Sequence, residues 1–232
     1  MKFLLSLLTS LFRLFFLFSK NRIEAKGIIV FPRVKVTVGN KVHFDSNSVV
    51  VRGKFCLEGN ENILINKGVV YKSKISIQGH NNNVIISEKC HLVNSKIVVK
   101  GNNCSVIISS QTNIGTGCWM VVMGDSKMIK IGNDCMIADN VDLWATDSHP
   151  IYIMDANNMK QVINPSGNII LGNHVWIGKK AILLKGITIG DYAIVGMGSV
   201  ITKNIPAGSV AVGNPGKIVK SNVNWERSHI TI

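Results

Sequence analysis

The sequence predicts an all-β chain wound as a triangular parallel β-helix, and three observations predict it. First, Leu171, Ile177, Leu183, Ile189, Val195 and Ile201 recur every six residues. Ile169, Val175, Ala181, Ile187, Ala193 and Ser199 stand two residues before each, and Gly follows at 172, 178, 190 and 196. A six-residue period of a branched aliphatic beside a small residue suits one flat side of a prism, three sides to a coil. Second, a longer unit repeats upstream, in "CLEGNENILI" (56–65), "SIQGHNNNVII" (76–86) and "VVKGNNCSVII" (98–108), with relatives at 36–44 and 121–131. Its glycines, Gly39, Gly59, Gly79, Gly101 and Gly124, are 20, 20, 22 and 23 apart, a solenoid spacing. Third, aromatics make up only 6% while Val and Ile carry the apolar load, which suits buried parallel strands.

The elements follow in order. Residues 1–22 read as an amphipathic helix, with Lys2, Ser6, Thr9, Ser10, Arg13 and Lys20 on one narrow stripe. No small-residue cleavage site is present, and the uncharged run Phe3–Phe12 is too short to span a bilayer. Two uses are open: lying in a membrane interface, helped by Lys20 and Arg22, or packing against the body or another subunit. The β-helix then runs over 28–214, and residues 215–232 form a C-terminal tail. Ile131, Ile137 and Leu143 keep the hexad phase until it breaks. Residues 144–168 are therefore a loop extruded from the solenoid, and long loops in compact domains are usually functional.

The net charge is +13, with lysines scattered and no compact basic run. That argues against a nucleic-acid tail and for a surface that attracts anions, such as phosphorylated cofactors, acidic glycans or anionic lipid. The five cysteines, Cys56, Cys90, Cys104, Cys118 and Cys135, form no CxxC pair and read as packing residues of a reducing compartment.

The stretch "GNHVWIGKKAILLKGITIGDYAIVGMGSVITKNIPAGSVAVGNPGKIV" (172–219) resembles the hexapeptide-repeat acyltransferases, in particular the maltose/galactoside and capsule or exopolysaccharide O-acetyltransferases. The resemblance implies a left-handed β-helix, a homotrimer, acetyl-CoA held between adjacent prisms, and a catalytic histidine in an "HP"-type loop; a cytoplasmic location is expected beside it. "TDSHPI" (146–151) supplies that histidine as His149.

Transfer of an acetyl group to a sugar hydroxyl needs a base for the alcohol proton, and a neutral histidine suits that task. His149 is the expected base. Asp147, or else a backbone carbonyl, would fix its orientation. Trp144 and Trp176 are candidates for sugar contact or for packing. The resemblance adds cofactor contacts at Gly178, Lys179, Gly196, Met197, Thr202, Lys203, Pro215, Lys217 and Lys220, and an acceptor contact at Asp125. His174 is expected at a corner facing solvent or a neighbouring subunit. A γ-carbonic-anhydrase-type metal site is disfavoured, because no H-x₄-H pair accompanies the two histidines 149 and 174, and no metal is expected. N-acetylation of an amino sugar and a non-catalytic glycan- or membrane-binding scaffold are the alternatives.

Overall fold

A computed structural model describes residues 22–154 and 160–228 of the chain. The helix expected over 1–22 falls outside the described residues except for Arg22, which opens the first strand, Arg22–Ala25.

Three walls of parallel strands close a prism. The first and third walls carry 8 strands each and the second carries 10. Each coil places one strand in each wall, so a strand's hydrogen-bonded neighbours lie one coil before and after it. The periodicity explains this registration. All six hexad aliphatics from Leu171 to Ile201 and all six residues two before them are buried, in one continuous core. The long repeat is equally in register: Gly59, Gly79, Gly101 and Gly124 pair with one another across four coils. A Cβ on Gly59 would lie 1.9 Å from the carbonyl oxygen of Gly79, so the chain bends there too tightly for any side chain.

At the corners, small polar side chains do the work of a ladder. Asn40 Oδ1 accepts from the N–H of Asn62, Asn62 Oδ1 from Asn82, and Asn82 Oδ1 from Cys104, at 2.9, 3.1 and 2.8 Å. Ser73 and Ser95 form a second such column that ends at Cys118, and Thr112 serves Cys135 in a third. Each bond satisfies a buried N–H that the turning backbone would otherwise leave unpaired. Cys104, Cys118 and Cys135 therefore take positions in polar corner columns and are buried there, Cys90 is buried with its Sγ on the Ser109 carbonyl, and none of the five cysteines is in a disulfide.

Two expectations are corrected. The tail is not separate from the prism: Lys217–Ser221 runs antiparallel to Ser209–Val212 as the last strand of the second wall. His174 does stand at a corner, with φ 53°, but it faces the chain's own C-terminal segment. Its ring stacks on buried Trp225 with centroids 4.2 Å apart. Its nitrogens lie 2.6 Å from Asp134 Oδ2 and 2.8 Å from the Trp225 carbonyl oxygen.

Candidate active site

The chain leaves the third wall after Asp142–Trp144 and returns at Ile169–Leu171 of the first wall. Among the described residues, the expected loop forms a two-stranded arm. Tyr152–Met154 pairs antiparallel with Lys160–Val162. Nearer the prism, Ile163 N–H donates to the Ile151 carbonyl (2.9 Å), Ser166 Oγ to Thr146 Oγ1 (3.1 Å) and Gly167 N–H to the Ala145 carbonyl (3.1 Å). The two sides of the excursion thus close on each other from its foot outward.

His149 lies where that closure is irregular. Ser148 has φ 65°, Pro150 follows with no N–H to give, and the His149 N–H turns back to the Asp147 carbonyl at 2.8 Å. Extra residues in one side of a ribbon re-aim side chains, and such bulges recur beside active sites. The His149 side is exposed, and among the described residues its ring takes no hydrogen bond.

The expected contact between Asp147 and the imidazole is not made in this structure. Asp147 Oδ2 instead accepts from Lys185 Nζ at 2.5 Å and from Asn164 Nδ2 at 2.8 Å. The Lys185 ammonium, bonded to this carboxylate and helped by Asn164, holds Asp147 below its ordinary value of 3.8. Asn164 reaches further. Its Nδ2 donates to the His149 carbonyl (2.9 Å) and its Oδ1 accepts from the Ile151 N–H (2.6 Å). Neither Asn164 nor Lys185 is flagged by the sequence: they lie 17 and 38 residues from Asp147, and only the fold brings them to it.

The aromatic candidates separate. Trp144 sits on the third wall at the foot of the arm, edge-on to Trp119 at 5.3 Å. Trp176 pairs with Met136 and Ile194 on the second wall, 6.0 Å from Trp225 and on a different face from Trp144. Asp125 lies at the opposite end of its strand from Trp119, and its Oδ1 accepts from the backbone and side chain of Asn102. That oxygen caps a corner, and the residue is exposed.

The cofactor candidates also divide. Gly178 and Gly196 donate their N–H groups within the coil ladder, to Val195 and Ala211, both at 2.8 Å. A Cβ on Gly178 would lie 2.6 Å from Met197 N, so this glycine lets the coils stack closely. Lys179 and Met197 differ. Among the described residues the Lys179 N–H and both main-chain groups of Met197 take no hydrogen bond, and Met197 is 73% exposed. Thr202, Lys203, Pro215, Lys217 and Lys220 are all exposed, the last two on the final strand. Among the described residues no group of three or more His, Cys, Asp or Glu side chains is placed to hold a metal ion.

One arrangement had no counterpart in the sequence reading. Arg33, Lys54, Lys74 and Lys96 are consecutive register partners on the third wall, all exposed, and the next partner is Trp119. From Arg33 to Trp119 the column covers four strand spacings, roughly 19 Å. Lys96 Nζ lies over the Trp119 ring at 5.0 Å, so the cations lead to the aromatic pair at the foot of the arm. Beyond Trp119 stands Asp142, whose carboxyl is pushed above its ordinary value by burial.

Comparisons with known proteins agree with this geometry. The family of bacterial transferase hexapeptide (six repeats) matches residues 168–203. The polysialic acid O-acetyltransferase of Neisseria meningitidis is 33% identical over 151 residues, covering 64% of this chain and 67% of that protein. The crystal structure of the polysialic-acid-specific acetyltransferase NeuO superposes with a TM-score of 0.74 at 33% identity, over 85% of this chain and 90% of that one. The polysialic acid O-acetyltransferase OatWY superposes with a TM-score of 0.61 at 25% identity, over 90% of this chain and 92% of that one.

Proposed function

The chain belongs to the hexapeptide-repeat O-acetyltransferases, and from that premise we propose that it moves an acetyl group from acetyl-CoA to a hydroxyl of an acidic surface polysaccharide of the polysialic acid type. The observation that carries the choice of acceptor is the column Arg33–Lys54–Lys74–Lys96 leading to Trp119. A polymer with one carboxylate per sugar meets repeated cations at regular spacing there, and then an aromatic face that suits the apolar side of a sugar ring. A cavity of about 560 Å³ lined by Arg33, Arg52, Lys54, Lys72, Phe31 and Pro32 widens the basic surface at its far end. The names of the relatives point to the same acceptor class.

In this reading His149 removes the proton of the attacking hydroxyl. The hydroxyl oxygen forms the ester bond to the acetyl carbon, and the thioester bond breaks to release the coenzyme thiolate, which takes up the proton. The reaction is direct, since the thioester is already activated and among the described residues no Cys–His hydrogen bond is formed to support a covalent intermediate. The unpaired main-chain groups of Lys179 and Met197 suit the amides of an extended pantetheine arm, and Lys203, Lys217 and Lys220 suit its phosphates.

The active unit in this reading is a homotrimer. Ile151, Tyr152, Ile153, Met154, Val162 and Ile163 of the arm are each at least 43% exposed, and an isolated two-stranded ribbon is marginal in water. A neighbouring prism would cover them and would bring a second copy's Trp176 or Met197 toward His149. The reaction then belongs to the cytoplasmic side, with residues 1–22 at the membrane surface.

The test is incubation with acetyl-labelled coenzyme A and either a sialic acid polymer or a neutral polysaccharide. Label released by mild base should appear on the acidic polymer and vanish with His149→Ala. Acetylation of the neutral polymer alone would overturn the acceptor. A base-resistant product would favour N-acetylation instead.

A further inference from the structure

The geometry points to Lys185 as a positioning residue for the base: its ammonium locks the irregular segment 147–151 of the arm in the shape that presents His149. This rests on the reading of His149 as the base.

Lys185 follows Ile182–Leu184, whose Leu184 is the register partner of Trp144. It therefore stands one coil beyond the point where the arm departs, on the rigid prism. From there Nζ donates to two groups on opposite sides of the arm, Asp147 Oδ2 (2.5 Å) and the Asn164 carbonyl (2.9 Å). Asn164 in turn holds the His149 carbonyl and the Ile151 N–H. One cation thus joins the outgoing strand, the returning strand and the prism. The arm's ladder has a gap at 147–150, and these three side chains fill it.

The physical need is plain. Ser148 is held at φ 65°, in a region that non-glycine residues occupy only when their surroundings compel it. Pro150 removes a donor just where the ladder needs one. A base on a free ribbon would sample many positions, and about 1 Å of misplacement costs up to roughly a hundredfold in rate. The bond is charge-assisted on both sides, with the lysine side chain 20% and the carboxylate 40% exposed, and its value here is the geometry it fixes. Lys185 touches no reacting atom in this scheme; it acts through Asp147 and Asn164.

The test compares Lys185→Met, Lys185→Arg, Asp147→Asn, Asn164→Ala and the double variant Lys185→Met/Asp147→Asn with the unmodified chain, with His149→Ala in parallel. Lys185→Met should lower kcat about ten- to a hundredfold, with KM for acetyl-CoA and acceptor changed by less than about twofold. Lys185→Arg should recover part of the loss. The double variant should be no slower than the slower single one, because both remove the same bond. Backbone hydrogen exchange at Ile151 should accelerate in Lys185→Met and in Asn164→Ala, a readout that needs no acceptor. An unchanged kcat, or a rise in KM alone, would overturn the assignment while a dead His149→Ala left the base in place. Full activity of His149→Ala would instead remove the base on which it rests. Should Lys185→Met fail to fold, Asn164→Ala decides alone: an unchanged kcat and unchanged exchange at Ile151 would sink the clamp.

Discussion

Trp225 and His174 are bonded to each other in both directions: the indole N–H donates to the His174 carbonyl at 2.7 Å while the ring of His174 faces the Trp225 carbonyl at 2.8 Å. Arg227 extends this contact to Asp134 Oδ1 (2.8 Å) and to the carbonyls of Gln111 and Cys135 (both 3.1 Å). The C-terminal segment therefore straps three coils of one corner. In a solenoid each coil is stabilised mainly by its neighbours, so a segment bonded to three successive coils ties them together. Trp225→Ala should cost about 3 kcal/mol or more, read as a lower Tm. Hydrogen exchange should rise first in the coils around 174 and 192; uniform protection loss along the chain would argue against a strap.

Under the proposed scheme, removing His149 should be the most damaging change to chemistry. His149→Ala is expected to lower kcat about 10²–10⁴-fold with little effect on KM for acetyl-CoA. His149 is exposed, so Tm should barely move.

The cation column predicts salt sensitivity. Lys54→Gln, Lys74→Gln and Lys96→Gln should each raise KM for an acidic polymer by roughly two- to fivefold, the scale of a partly screened charge pair. Raising ionic strength should have the same effect on the unmodified chain and a smaller one on the triple variant. Asp142→Asn, which removes the like charge beyond Trp119, should lower that KM. KM values indifferent to salt would dissociate the column from acceptor binding.

The Asp147 carboxyl carries a pH signature. Its value is depressed in the folded chain, so its contribution is present above its ordinary value of 3.8 and is lost as pH falls through the lower folded value. The clamp is intact throughout the neutral range. Asp147→Asn should therefore lower stability slightly at pH 7, by about 1 kcal/mol or less for a pair this exposed. The two proteins should converge in acid, once the carboxyl is protonated in the folded chain. Thermal melts in neutral and in acid solution check the sign.

The thiols should be inert while the coils are closed. Burial pushes Cys118 and Cys135 up to about 11, and it raises Cys90, Cys104 and Cys56 as well. Only Cys56 is partly open to solvent. A thiol reagent at pH 8 should modify Cys56 first and slowly, and the other four only on unfolding.

Much of this architecture is legible in the order of residues. A period of six fixes which side chains point inward, and burial of a continuous core forces the coils into register, so Leu171 to Ile201 and the four paired glycines needed no tertiary information. The break of phase after Leu143 marks the arm, and "HP" within it marks His149. What the sequence alone leaves open is everything set by stacking. Residues about 20 apart become neighbours at one strand spacing, which turns scattered lysines into the column from Arg33 to Lys96. Proximity in sequence misled for Asp147, since a strained turn at Ser148 and the reach of Lys185 from the next coil decided its partner. The same stacking made Gly178 a contact between coils and placed Trp176 on a different wall from Trp144. Periodic burial is a local property, repeated, and so it can be read from one strand of text. Electrostatic and hydrogen-bond partners are chosen by distance in space, and that is known only once the chain has wound.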